Sequence, residues 1–234
     1  FREPRYIGDP INAVKIFNDL KADELVFLDI TASLEGRSIP SEIVRSIGDE
    51  AFMPFAVGGG IDTVVKIEQA LRAGAEKAII NTQSVINPGL IEESAKVFGT
   101  QSIVVSIDVK KSLLGRYEVW IKDGTINSKR NPIDLAKQVE GLGAGEIIIN
   151  SIDLDGTMKG YDLDLLNSVA NNVNIPVIAC GGAGRMAHLK QAFDECKVHA
   201  LAAGNIFVFH GPRRAVLINY PSKAEIQELF NGNM

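Results

Sequence analysis

The sequence predicts an α/β fold, a (β/α)8 TIM barrel built from two half-barrel repeats. Three observations lead there. Short β-branched runs alternate with amphipathic stretches from end to end. The apolar runs are hydrophobic on both faces, as strands buried in a parallel sheet must be. Landmark residues also recur 122 positions apart: Glu24 and Glu146, Pro54 and Pro176, Gly60 and Gly182, Lys77 and His199. Two related halves of four βα units each make eight strands, which is the closed barrel.

The expected strands are 24–29, 53–57, 77–81, 102–108, 146–150, 175–179 and 199–203. Amphipathic helices are expected at 63–73, 88–98, 134–142 and 162–170, and Gly74 and Gly143 stop the first and third of them before the next strand. The stretch 117–122, running into Asp123-Gly124, reads as a small extra hairpin. That makes seven barrel strands. The unpartnered one ends at Asp108, and its mate in the repeat falls upstream of Phe1. The chain is therefore read as a single barrel domain over 1–234 whose first strand is missing from it. An open seven-stranded sheet is the alternative.

A chain of 234 residues can bury a core of its own. Its net charge of −5 argues against a general nucleic-acid or anionic-membrane surface, though not against a local phosphate site. Two cysteines, Cys180 and Cys196, without metal-ligand spacing suit a reducing cytoplasm. No apolar run approaches the roughly 20 residues needed to cross a bilayer.

In such barrels the reactive groups gather where strands end. Strand ends here offer Asp29, Gly58-Gly59-Gly60, Asn81-Thr82, Asp108, Asn150, Asp155-Gly156, Cys180-Gly181-Gly182 and Gly204-Asn205. Paired glycines after buried strands, one set in each half, suggest two phosphate cradles, because backbone N–H groups beside a helix start bind phosphate and glycine allows close approach. One cradle combines Gly60 with Asn81 and Thr82. The other combines Gly156, Gly182, Gly204 and Asn205. An elongated substrate with a phosphate at each end would span them. Tight turns alone are the competing explanation of the same glycines.

Asp108 closes the apolar run V-V-S-I-D and is the candidate general acid or base, against a capping or salt-bridging role with Lys110 or Lys111. Asp29 either orients the site or supports it structurally. Asp155 reads in part as a turn former. At strand starts, Glu24, Lys77 and Glu146 would meet on the lower face, as a stabilising ring or as a gate into the barrel axis. His188 and His210 default to surface roles. Cys180 has no paired base nearby in sequence and is not expected to be a nucleophile.

The motifs D-E-L-V-F-L-D-I-T-A-S, V-G-G-G-I, I-N-T, V-S-I-D-V-K, S-I-D-L-D-G-T and G-G-A-G resemble the cyclase subunit of imidazole glycerol phosphate synthase, of histidine biosynthesis, in order and spacing from about Gly8 to about Phe209. The resemblance implies a glutaminase partner at the lower face, ammonia passing up the barrel, and a bis-phosphorylated ribulosyl aminoimidazole carboxamide substrate at the top. It implies no metal or organic cofactor. It makes Asp108 one of two catalytic aspartates, with the other on the first strand. It makes Glu24, Lys77 and Glu146 a charged gate. It places Gly60, Asn81, Thr82, Gly156 and Gly182 at phosphate positions.

The chain departs from the family at several strand ends. It has Asn150 for Thr, Cys180 for Ser, Gly204-Asn205 for Ala-Ser, a different loop at 128–132, and an unusual tail, H-G-P-R-R-A-V-L-I-N-Y-P, at 210–221. These departures are similar to a divergent branch that passes ammonia from a glutaminase to a sugar amidotransferase of surface-polysaccharide biosynthesis. Two readings therefore stand, a cyclase and an ammonia-conducting paralogue. A third, weaker one is an isomerase-like phosphate-binding barrel, which would need no glutaminase.

Overall fold

The protein is described by a computed structural model covering residues 8–211 and 214–231. The first half runs α1 (Pro10–Asp19), β1 (Leu25–Leu28), α2 (Ala32–Glu35), α3 (Ser41–Glu50), β2 (Phe55–Gly58), α4 (Val64–Arg72), β3 (Lys77–Ile80), α5 (Gln83–Ile86) and α6 (Gly89–Phe98). The second half opens with β4 (Ile103–Lys111), the short strands β5 (Tyr117–Ile121) and β6 (Ile126–Asn127), α7 (Pro132–Gly141) and β7 (Glu146–Ser151). It continues with α8 (Leu163–Ala170), β8 (Val177–Cys180), α9 (Met186–Glu195), β9 (Ala200–Leu201) and α10 (Asn205–Val208). The hairpin β10 (Phe209–His210) and β11 (Ala215–Val216) and the helix α11 (Lys223–Asn231) end the described chain.

Seven strands pair in parallel in the order β1-β2-β3-β4-β7-β8-β9, with β5 and β6 added antiparallel on the end of β4. Strand, helix, strand in sequential order is the arrangement of a (β/α)8 barrel, with β1 and β9 as the edges of the described sheet. The expected first strand lies outside the described residues. The sheet is curled, because both edge strands and the middle of the sheet line one cavity. The Tyr220 hydroxyl also donates to Asp23 just before β1, at 2.7 Å, so the C-terminal segment meets the opposite edge.

The 122-residue repeat survives in the elements. Leu25 and Ile147, Phe55 and Val177, and Gly58 and Cys180 stand at corresponding strand positions. So do two helix starts. Asp9 caps α1 by accepting the N–H groups of Ile11 and Asn12 ahead of Pro10, and Asn131 caps α7 in the same way ahead of Pro132. Proline at the first helical position lacks an N–H that would be unpaired there, and its fixed φ suits the helix.

The core follows the strand alternation. Ile147 and Ile149 of β7 are fully buried and face the helix layer with Ile80, Ile103 and Leu135. Ile148 turns to the barrel interior, where it packs with Ala56, Ile79 and Val104. On β1 the pattern is different: Val26 and Leu28 are partly exposed on the cavity side, where they line its wall.

Most boundaries agree with the sequence reading to within two residues. The larger difference is at β4, which runs on through Lys111 because β5 pairs with Asp108–Lys111 above the barrel rim. Helices α1, α3, α9 and α11 were not singled out by the pattern. His188 is a correction: it is buried rather than superficial, with its Nδ1 3.2 Å from the Gly184 N–H. The tail at 210–221 contributes β11 and the Tyr220 contact, and positions 212 and 213 lie outside the described residues.

Gly182 shows how tightly the strand-end loops meet. Its φ is +111°, and a Cβ there would sit 2.1 Å from the Gly160 carbonyl oxygen. Gly182→Ala is expected to lower folding stability by at least about 2 kcal/mol. Gly141→Ala, at the end of α7 with open space around it, should be neutral or stabilising by up to about 1 kcal/mol. Urea denaturation of the two variants checks the contrast.

Candidate active site

Asp108 lies on β4, level with Asn150 on β7 and opposite Trp120 on β5. It is 8% exposed. A buried carboxylate needs donors, and strand ends supply two. The Asn150 side-chain amide donates to Oδ1 at 3.0 Å, and the Asn81 amide donates to Oδ2 at 3.1 Å. Asn81 also donates to the Ser106 carbonyl at 3.0 Å, which fixes its rotamer.

Burial pushes the Asp108 carboxyl up to about 6. The two amides oppose that shift, while the carboxylates of Asp123 and Asp155 reinforce it. A carboxyl balanced there can take up and release a proton near neutral pH, which is what a general acid or base requires. Burial, with Asp155 and Asp108 adding to it, also raises the nearby Cys180 thiol, to about 12. That side chain stays a neutral thiol and packs as a small hydrophobe.

One cavity of about 820 Å³ connects these groups. Asp108, Asn150, Asp155 and Cys180 lie toward the upper end, and Glu24 toward the start of β1. Its middle is apolar, with Val26, Leu28, Ile79 and Ile148 on the wall. At the lower rim the Lys77 ammonium donates to Glu24 at 3.0 Å and to both oxygens of Glu146 at 2.9 and 3.1 Å. Burial would lower the Lys77 ammonium, but the hydrogen bonds it donates to Glu146 and Glu24 outweigh that and hold the group above its ordinary value. All three expected lower-face residues are thus joined in one cluster.

The other expected residues divide into two groups. Asp29 accepts a two-pronged contact from Arg37, whose guanidinium also reaches Glu35. Thr82 is buried, and its hydroxyl accepts the Lys122 N–H at 3.1 Å. Gly60 packs so close to the Arg37 carbonyl that a Cβ would overlap it at 1.8 Å. In the second half, Gly156 lies beside Asn205, and Gly204 is exposed, with no atom of the described residues other than its chain neighbours within 4 Å of where a Cβ would sit. Gly60 and Gly182 thus meet a packing need in the fold itself.

Sequence reasoning missed Arg37 and, although it read the hairpin at 117–122, it missed that the Lys122-Asp123 turn lies at the cavity wall. Arg37 lies just after the short helix α2, in the loop that leads to α3. The Asp123-Gly124 dipeptide announced a turn, but only the pairing of β5 with β4 brings that turn to the cavity wall. Among the described residues, no group of three or more His, Cys, Asp or Glu is arranged to hold a metal ion. No helix among them is long and apolar enough to cross a membrane.

Residues 1–212 match the family described as "Histidine biosynthesis protein". The chain belongs to that family. Among its relatives is "Putative imidazole glycerol phosphate synthase subunit hisF2" of Pseudomonas aeruginosa, 48% identical over 94% of this chain and 88% of its own length. A Leptospira borgpetersenii protein, "Putative imidazole glycerol phosphate synthase subunit HisF", is 44% identical over 98% of this chain and 91% of its own. "Imidazole glycerol phosphate synthase subunit HisF" of Hydrogenobaculum sp. is 47% identical over 86% of this chain and 80% of its own. Family membership agrees with the resemblance read from the motifs.

Asp108 carries a stability cost that follows pH. Below pH about 4 the carboxyl is protonated in both the folded and the unfolded chain. Between its unperturbed value of 3.8 and about 6, the unfolded chain has released the proton and the folded chain still holds it. Stability therefore falls as pH rises through that window. Asp108→Asn should gain stability relative to the parent between pH 4 and pH 7, by up to about 3 kcal/mol. Denaturation midpoints across that range test this. A pH-independent difference would mean that Asp108 titrates as an ordinary carboxylate.

Proposed function

We propose that this chain is the cyclase subunit of an imidazole glycerol phosphate synthase. In this reading a glutaminase docks on the lower face and releases ammonia there. The ammonia passes the Glu24–Lys77–Glu146 cluster and travels along the apolar cavity. At the upper end it attacks the ribulosyl carbonyl of the bis-phosphorylated aminoimidazole carboxamide substrate. The products are imidazole glycerol phosphate and aminoimidazole carboxamide ribotide.

The observation that carries this reading is Asp108, held by two amides at one end of a cavity whose other end reaches the charged cluster. Asp108 moves protons during ring closure and cleavage, partnered by the aspartate expected on the first strand. Asn81 and Asn150 aim its carboxylate and leave it able to exchange a proton near neutrality. The two phosphate cradles hold the ends of the substrate so that the reacting centre is positioned over Asp108.

A second reading, the ammonia-conducting paralogue of a sugar amidotransferase system, is favoured by Asn150 and Cys180. Both stand in the immediate surroundings of Asp108, where the resemblance leads one to expect Thr and Ser. This reading retains the lower-face cluster and the cavity but not the cyclase chemistry.

Turnover of the bis-phosphate with saturating ammonium and no partner separates the two. The cyclase should release imidazole glycerol phosphate at a rate on the enzyme scale of about 1 s⁻¹ or more. Asp108→Asn should reduce that rate by roughly 10²- to 10⁴-fold while substrate affinity changes little. Lys77→Ala should depress glutamine-dependent activity more than ammonium-dependent activity. Equal losses on both would remove the gate from the proposal.

A further inference from the structure

A bis-phosphate needs cations, and the cavity is short of them. Its described lining holds seven carboxylates but only two cationic side chains, Arg37 and Lys122. Arg37 is engaged by Asp29 and Glu35. Lys122 has no carboxylate within ion-pair distance among the described residues.

The backbone singles out the same residue. Lys122 and Asp123 both adopt the left-handed conformation, with φ of 50° and 54°. That region costs a residue with a Cβ roughly 1–2 kcal/mol, and glycine or asparagine is the usual occupant. The conformation is clamped from both sides. The Lys122 N–H donates to the buried Thr82 hydroxyl at 3.1 Å, and its carbonyl accepts from the Thr125 N–H at 3.1 Å and the Thr125 hydroxyl at 2.6 Å. A strained turn held this firmly at a cavity wall is a device for presenting a side chain.

We propose that Lys122 is a phosphate ligand of the first cradle, and that Thr82 positions it by holding the β5–β6 turn over the site. The proposal rests on the bis-phosphate reading and names the cation that reading needs. The ammonium meets one substrate phosphate as a point charge with up to three N–H donors. In this arrangement Thr82 acts through Lys122 rather than on the phosphate alone.

The test uses inorganic phosphate as probe, with calorimetry at constant ionic strength against a chloride control. Lys122→Asn removes the ammonium and suits the left-handed backbone, and Lys122→Gly is the second such variant. Both should weaken one phosphate site at least tenfold, leave the other unchanged, and keep the parent's Tm. Lys122→Arg should retain the site. KM for the bis-phosphate should rise by a similar factor in Lys122→Asn, with kcat within about threefold of the parent. Unchanged phosphate affinity in the variants, or no phosphate affinity in the parent, would overturn the assignment. Phosphate binding that is lost with Lys122, in a parent that turns over no bis-phosphate, would uphold Lys122 and overturn the cyclase reading instead.

Discussion

A carboxylate taken out of water must be met by donors, and the neighbourhood of Asp108 is organised around that requirement. Parallel pairing of β4 with β7 sets Asp108 level with Asn150, and β3 ends where Asn81 can reach the other oxygen. Neither amide is charged, so the carboxylate is held in place without being neutralised by a cation. A lysine or arginine in place of either asparagine would pull the carboxyl down and leave it permanently ionised. Two neutral donors leave a buried acid that titrates near 6. Its position follows from those two contacts, and its protonation follows from burial, which the same contacts only partly offset.

The lower rim solves the opposite problem. There a cation is shared between two carboxylates, and Lys77 is held charged despite its partial burial. A strong, closed cluster at one end of an apolar cavity and a proton-exchanging acid at the other give the molecule a direction. Polar groups are concentrated at the two ends, and the wall between them is largely aliphatic.

The loops at the upper face are packed against one another more closely than turns require. Gly58, Gly59 and Gly60 each lie where a Cβ would crowd the end of β1 or the Arg37 loop, and Gly182 touches Gly160. This packing makes the rim rigid and brings strand-end side chains from different repeats within reach of one ligand. The same glycines can still turn N–H groups toward a phosphate, so the packing role and the binding role are compatible.

The amino-acid sequence by itself determined the fold class, the repeat and which polar residues fall toward the two ends of the strands. Local periodicity marks buried strands, and the 122-residue spacing relates the halves, so Asp108 could be placed at a strand end and Glu24, Lys77 and Glu146 at strand starts. Those are properties of single segments and their order. Only the tertiary structure decided what each side chain touches. Asn81 and Thr82 are adjacent in sequence, yet one holds Asp108 and the other holds Lys122 on a hairpin 40 residues away. His188 is buried because the loops around Gly160 and Gly184 close over it. Contacts of this kind depend on sheet register and on loops meeting across repeats. A pattern of residue types along the chain carries no information about distances between loops that meet only once the sheet has curled.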